Sequence, residues 1–61
     1  MNLYIKWKRP NEPEGEHVFP SIDPAKVTIH YGILHFQDTA EKPKTWTFNL
    51  DHIIDFEFKE D

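Results

Sequence analysis

Cysteine is absent from this sequence, glycine occurs only twice, and no apolar run approaches the length of a membrane helix. The absence of cysteine excludes disulfides and thiolate metal sites. Two glycines are too few for a glycine-rich phosphate loop. A membrane-spanning helix needs about 20 apolar residues, and the alternation of apolar and polar residues at 1–8 is unlike a signal peptide. We therefore expect a soluble, cytoplasmic protein that does not contact membranes.

Small size limits the core that this chain of 61 residues can build. A chain this short buries only about 60% of the surface that is exposed when it is unfolded. Aromatic residues make up 15% of the sequence, and each buried ring removes about 150–250 Å² from water. We predict one domain over residues 1–61 whose core depends on large rings. A homodimer would bury further apolar surface.

Charge is unevenly distributed along the chain, although the net value is only −4. Residues 1–10 contain Lys6, Lys8 and Arg9 and no acidic residue, whereas residues 11–25 and 51–61 are acidic. A non-specific nucleic-acid-binding protein needs a positive footprint. The acidic balance of the whole chain therefore argues against that class.

Alternation of apolar and polar residues predicts β-strands along most of the chain. The first strand is expected at about residues 2–9, with Leu3, Ile5 and Trp7 facing the core. Pro10 ends this strand because proline cannot donate a hydrogen bond to a sheet.

The next segment is predicted to be a long loop, at residues 10–25. Within it, Phe19 and Ile22 are expected to contact the core, and Val18 can begin a short edge segment. The sequence Asp-Pro-Ala-Lys at 23–26 predicts a single helical turn, with the aspartate as its cap and the proline at its first position.

A β-hairpin is predicted where two alternating segments flank Tyr31 and Gly32. A two-residue turn there pairs residue 30 with 33, 29 with 34, and 27 with 36, because glycine supplies the positive φ that tight hairpins require. A longer loop with a bulge is the alternative, since tyrosine is a poor first residue for such a turn. The pairing places on the inner face Val27, Ile29, Leu34 and Phe36, and on the outer face Thr28, His30, Ile33 and His35.

Two more strands are predicted at about 44–50 and 53–59. The loop before the first of them places Phe36 opposite Trp46 and Leu34 opposite Phe48, and such aromatic cross-strand pairs stabilise a sheet. The inward residues of these two strands are expected to be Trp46, Phe48, Leu50, Ile54, Phe56 and Phe58. Residues 49–52 resemble a tight or single helical turn that sends the last strand across the core.

Charge complementarity suggests that the first and last strands pair antiparallel. If Lys6 lies opposite Glu57 and Lys8 opposite Asp55, opposite charges face each other on the outer side of the pair. The same register places Ile5 opposite Phe58 on the inner, apolar side. The pairing also removes two sheet edges. The predicted fold is all-β: a five-stranded antiparallel meander curled into a partly closed barrel, with a long N-terminal loop. Its architecture is similar to a Src-homology-3-like barrel.

No residue pattern in the chain is typical of catalysis or of cofactor binding. Ser21 is the only serine and follows a proline in a loop, and the carboxylates alternate with apolar residues on open strands. His30 and His35 are predicted on one outer face, diagonally, and two histidines make an incomplete zinc site, which normally has three or four ligands. His17, on the predicted loop, could approach them, but nothing in the sequence requires it. We therefore predict a protein that is not an enzyme and binds no cofactor, metal or small molecule. A metal-dependent activity through the histidines is the remaining alternative of this class.

The remaining hypothesis is an interaction module that recognises a protein partner or a second copy of itself. Exposed apolar positions beside strands are typical of such contacts. The predicted partner surface consists of Tyr4, Lys6, Lys8, Arg9, Tyr31, Ile33 and Ile53. The alternative is a nucleic-acid-binding domain that uses the basic first strand, because cations interleaved with an aromatic ring can hold single strands.

Overall fold

The computed structural model of the protein describes residues 1–60 and shows an all-β fold. Asp61, which belongs to the acidic C-terminal segment, lies outside the described residues. The strands are β1 (Asn2–Trp7), β2 (Gly15–Phe19), β3 (Thr28–His30), β4 (Ile33–Gln37), β5 (Thr45–Asn49) and β6 (Ile53–Lys59). They form two antiparallel sheets, a terminal sheet in the order β2-β1-β6 and a central sheet in the order β3-β4-β5.

The core lies between the two sheets and receives side chains from both. Its buried members are Leu3, Ile5, Phe19, Ile22, Leu34, Phe36 and Phe48. Three of them, Leu3, Ile5 and Leu34, have no exposed surface. The predicted contact of Phe19 and Ile22 with the core is confirmed. Partly buried rings from both sheets, including Trp7 and Trp46, pack around this cluster.

The predicted hairpin of the central sheet is confirmed in register. Ile29 pairs with Leu34 and His30 with Ile33. The connection is the two-residue turn, because Tyr31 and Gly32 both have positive φ, 50° and 72°. The predicted pairs across β4 and β5, Leu34 with Phe48 and Phe36 with Trp46, are also present.

Both predicted short turns are present as single turns of 3₁₀ helix, Pro24–Lys26 and Leu50–His52. The Asp23 carboxylate accepts a hydrogen bond from the Ala25 amide at 2.9 Å, as expected for a cap. Asn49 caps the second turn in the same way, through the Asp51 amide. That second turn carries the chain from the central sheet to the terminal sheet.

The strand count of five is wrong, because the segment predicted as a loop at 10–25 contains β2. All five residues of β2 pair with β1, from Leu3 opposite Phe19 to Trp7 opposite Gly15. Burial alternates along β2 as in a half-buried strand, but the sequence Glu-His-Val-Phe at 16–19 does not alternate apolar with polar residues. The predicted meander is therefore replaced by a six-stranded arrangement in two sheets.

The predicted pairing of the first and last strands is confirmed, but its register is displaced by two residues. Ile5 lies opposite Phe56 rather than Phe58, and Lys6 lies opposite Asp55 rather than Glu57. A shift of two keeps every side chain on its predicted face. The amide of Lys8 instead donates to the carbonyl of His52 at 2.7 Å, outside β6.

A β-bulge reverses the predicted orientation of the two isoleucines at the start of β6. Lys6 pairs with Asp55 but Trp7 pairs with Ile53, so Ile54 is the extra residue. Ile53 packs against the core, whereas Ile54 is 54% exposed. Ile29, also predicted to be inside, is 53% exposed because it lies on a three-residue edge strand.

Candidate interaction surfaces

The outer face of the terminal sheet, which we call the charged face, alternates acidic and basic side chains. Lys6 lies in register between Glu16 of β2 and Asp55 of β6. Tyr4 lies beside it, between Val18 and Glu57. The cleft on this face is lined by Tyr4, Lys6, Glu16, Asp55, Glu57 and Lys59. Such a face is well suited to remain in water, because Lys6 lies between carboxylates of two neighbouring strands and Lys59 lies beside Glu57 on its own strand.

Lys59 is the best-connected cation of the charged face. Its ammonium lies 3.1 Å from the Glu57 carboxylate and 4.7 Å from the centre of the Tyr4 ring. The hydrogen bond with Glu57, together with its charge, raises the pKa of Lys59 above the ordinary value of 10.5. Both partners of this pair are more than half exposed, so its contribution to stability is small.

The outer face of the central sheet, which we call the uncharged face, contains no Asp, Glu, Lys or Arg. Thr28, His35 and Thr47 form one row across its three strands, and His30, Ile33 and Asn49 form the next. Gln37 and Thr45 complete the face on β4 and β5. In a chain of which 30% is charged, a whole sheet face without charge is the strongest departure from an ordinary surface.

Two predicted partner residues, Tyr31 and Ile33, lie together at the turn end of the uncharged face. Tyr31 is 92% exposed, and its ring centre lies 4.2 Å from that of His30. Ile33 is half-buried between His30 and Asn49. An exposed ring beside a branched apolar side chain is typical of a protein contact surface.

The cations predicted on the basic first strand lie in two places, one on the terminal sheet and one in the turn that follows β1. Lys6 belongs to the charged face, whereas Lys8 and Arg9 follow β1. The Lys8 ammonium donates to the backbone carbonyls of Arg9 and Glu12. The Arg9 guanidinium lies 4.0 Å from the Glu12 carboxylate and 5.3 Å from the Trp7 ring centre. These two cations hold the turn between β1 and β2.

His17, predicted on a mobile loop, instead lies within an aromatic cluster between the sheets. Its Nδ1 accepts a 2.7 Å hydrogen bond from the indole N–H of Trp7. The rings of Phe19, Trp46 and Phe48 lie 5.8–6.0 Å from the His17 ring. These contacts place His17 between the sheets, whereas His30 and His35 lie on the outer face of the central sheet. The sequence carried no clear signal for this role, because apolar Val18 separates His17 from Phe19 and its exposure is seen only in the structure.

Asp38 anchors the loop between β4 and β5, a role that the sequence reading did not assign. Its carboxylate accepts hydrogen bonds from the Trp46 indole and the Lys44 amide, both at 3.0 Å, and from the Ala40 amide at 3.3 Å. These bonds, with that from Trp46 the largest contributor, lower the pKa of Asp38 below its ordinary value of 3.8. An aspartate at the start of a short loop is itself a turn signal.

The two histidines of the uncharged face do not form a metal centre with a third group. The His35 ring is held by the Thr28 hydroxyl, 2.8 Å from Nε2. His30 instead packs against Tyr31. Among residues 1–60 there is no group of three or more potential ligands from His, Cys, Asp or Glu.

The predicted partner surface is therefore not one patch. Tyr4 and Lys6 lie on the charged face, Lys8 and Arg9 at the turn after β1, and Tyr31 and Ile33 at the uncharged face. Ile53 packs against the core, so its place on an exposed surface was wrong because of the bulge. The sequence reading missed Thr45, Thr47 and Asn49 as surface candidates, since it treated outward polar residues as ordinary strand residues.

In comparisons with known proteins, no family model matches this chain, and no curated protein or solved structure matches it. Over residues 1–60, no helix has the length and apolar character needed to cross a membrane.

Proposed function

We propose that this protein is a small interaction module without catalytic activity, which recognises another protein chain through its uncharged face. The observation that supports this most strongly is the contrast between the faces: every charged strand residue that points outward lies on the terminal sheet. Depletion of charge distinguishes the centre of protein interfaces from other surfaces. Tyr31 and Ile33 supply apolar contact area at one end.

Nucleic-acid binding through the first strand is the weaker proposal. It requires Lys8 and Arg9 to reach phosphates, yet both side chains make contacts within their own turn. Lys6 lies between two carboxylate side chains on neighbouring strands. Binding of an oligonucleotide would have to compete with these acids.

The Src-homology-3-like barrel remains a hypothesis for the fold. Pairing of the first and last strands agrees with it, whereas six strands in two sheets depart from a five-stranded arrangement.

Site-specific photocrosslinking in cells tests the proposed face. The photoreactive residue benzoylphenylalanine would replace Tyr31 at the uncharged face and, as the matched control, Val18, which is 50% exposed on the charged face. We expect a crosslinked protein band from position 31 and none from position 18. Equal crosslinking from both positions, none from position 31, or a band that nuclease removes would contradict the proposal.

A further inference from the structure

The sheet edges of this protein differ in how well they are protected against pairing. Natural proteins shield edges with charged residues, bulges or short strands. The edge strand β6 carries Asp55, Glu57 and Lys59 and begins with the bulge at Ile54. The edge strand β2 carries Glu16, and β3 has only three residues.

The fourth edge strand, β5, has none of these protections. Its sequence is Thr-Trp-Thr-Phe-Asn, in which the first four residues have high strand preference and none of the five is charged, proline or glycine. Within residues 1–60 it pairs only with β4. In an antiparallel sheet, alternate residues direct their backbone groups to each side. His30 and Ile33 flank the two-residue turn as a hydrogen-bonded pair, which makes Leu34 with Phe48 a hydrogen-bonded pair too. The backbone groups of Thr45, Thr47 and Asn49 therefore point to the free side.

We propose that β5 pairs antiparallel with β5 of a second copy of this chain, about a two-fold axis at Thr47. This rests on the proposed function, since the pairing joins the uncharged faces of two copies into one surface and leaves Tyr31, which is in the turn between β3 and β4, open to the other protein. Centring on Thr47 overlaps the whole strand, with Thr47 opposite its symmetry mate and Thr45 opposite Asn49 of the other copy. The two central sheets then form one continuous six-stranded sheet with an uncharged outer face.

Charge and apolar contacts both agree with this antiparallel register. Lys42 and Lys44 precede β5 and Asp51 follows it, so the basic end of each strand meets the acidic end of its mate. On the inner face, Trp46 lies opposite Phe48 of the other copy. Trp46 is only half-buried in the single chain, and the pairing covers its ring. Although each chain carries a net charge of −4, no carboxylate faces another along β5.

Engineered cysteines test the register directly, because the natural chain has none. Hydrogen-bonded partners lie with their Cα atoms about 5.5 Å apart, within the range of about 4.4–6.8 Å for a disulfide. The Thr47→Cys variant should therefore form a disulfide-linked dimer on mild oxidation. Thr45→Cys is the matched control, since its symmetry mate would lie about 13 Å away. A mixture of Thr45→Cys with Asn49→Cys should again crosslink.

Sedimentation velocity on the whole protein distinguishes pairing through the β5 edge from association through the uncharged face. We expect the unmodified protein to dimerise, Thr47→Pro to be a monomer, and His30→Lys, on the opposite edge of the uncharged face, to remain a dimer. Proline at 47 removes an outward N–H and is tolerated at a sheet edge. The cysteine variants give a separate answer if the proline variant does not fold.

Other outcomes would overturn the edge pairing and distinguish it from the broader proposal. A dimer lost with His30→Lys but kept with Thr47→Pro would indicate stacking of faces, which contradicts the edge and leaves the interaction module standing. A monomer that crosslinks from position 31 to a different protein would do the same. A monomer with no crosslink from position 31 would contradict both proposals.

Discussion

The two sheets share one core but present different chemistry to water. The terminal sheet exposes alternating acids and bases, whereas the central sheet exposes threonine, histidine, asparagine, glutamine and isoleucine. Charged side chains interspersed in sign keep a surface hydrated and unpaired. An uncharged face with an unprotected edge loses little hydration when another chain covers it. In the function proposed above, the terminal sheet closes the fold and the central sheet binds the partner.

The largest effect is expected from the core, which both sheets need. Leu34→Ala, at a fully buried position, should lower the free energy of unfolding by about 2–5 kcal/mol. Its register partner in β3 gives the control: Ile29→Ala removes a side chain that is 53% exposed and should cost less than about 1 kcal/mol. Urea unfolding followed by tryptophan fluorescence measures both. Equal losses would mean that the core does not lie where the structure places it.

The next-largest effect is expected at Gly15, in β2 of the terminal sheet, and is compared with that at Gly32, in the turn between β3 and β4. A Cβ at Gly15 would lie 2.7 Å from Cε2 of Trp7, with other indole carbons also too close. Gly15→Ala should therefore displace the indole and cost about 1–3 kcal/mol. Gly32 has open space around it but a φ of +72°, so Gly32→Ala should cost about 1 kcal/mol through backbone strain alone. Only the first variant should change the emission of Trp7.

Asp38, which anchors the loop between β4 and β5, predicts that the stability of the fold decreases at acid pH. Because hydrogen bonds lower the pKa of Asp38 in the folded protein, its contribution to stability is present above the ordinary value of 3.8 and is lost as pH falls through the lowered pKa. Asp38→Asn keeps a side-chain oxygen but does not ionise, so its urea midpoint should fall less between pH 5 and pH 2 than that of the natural chain. Parallel midpoint curves for the two proteins would rule out this role.

The smallest effect tests the charge pattern itself. Lys6→Glu would place three carboxylates in one row across the terminal sheet, between Glu16 and Asp55. Like charges on neighbouring strands are unfavourable, and we expect a loss of about 0.2–1 kcal/mol that added salt reduces. Thr47→Glu, on a row with no carboxylate, should leave the unfolding free energy of the monomer nearly unchanged. Both are read from urea curves at dilute concentration, and an equal loss would remove the distinction between the faces.

The local pattern of residues decided the hairpin of the central sheet. Alternation on both sides of Tyr31 and Gly32 leaves only one short register in which Leu34 and Phe36 face inward, because a slip of one residue would turn every side chain over. The same reasoning correctly placed Phe48 opposite Leu34. It could not reveal a partner surface, since outward threonines are equally compatible with solvent and with another strand.

Alternation, turn chemistry and charge complementarity in the sequence by themselves determined an all-β chain, the capped turn at Asp23 and the pairing of the first and last strands. Tertiary structure decided the strand status of 15–19, the two-residue shift of the terminal pairing and the exchange of Ile53 with Ile54 at the core. Those features depend on contacts between segments far apart in the chain. Since a shift of two residues or a bulge keeps the local pattern intact, only the packing of Trp7, His17 and their neighbours could select among them.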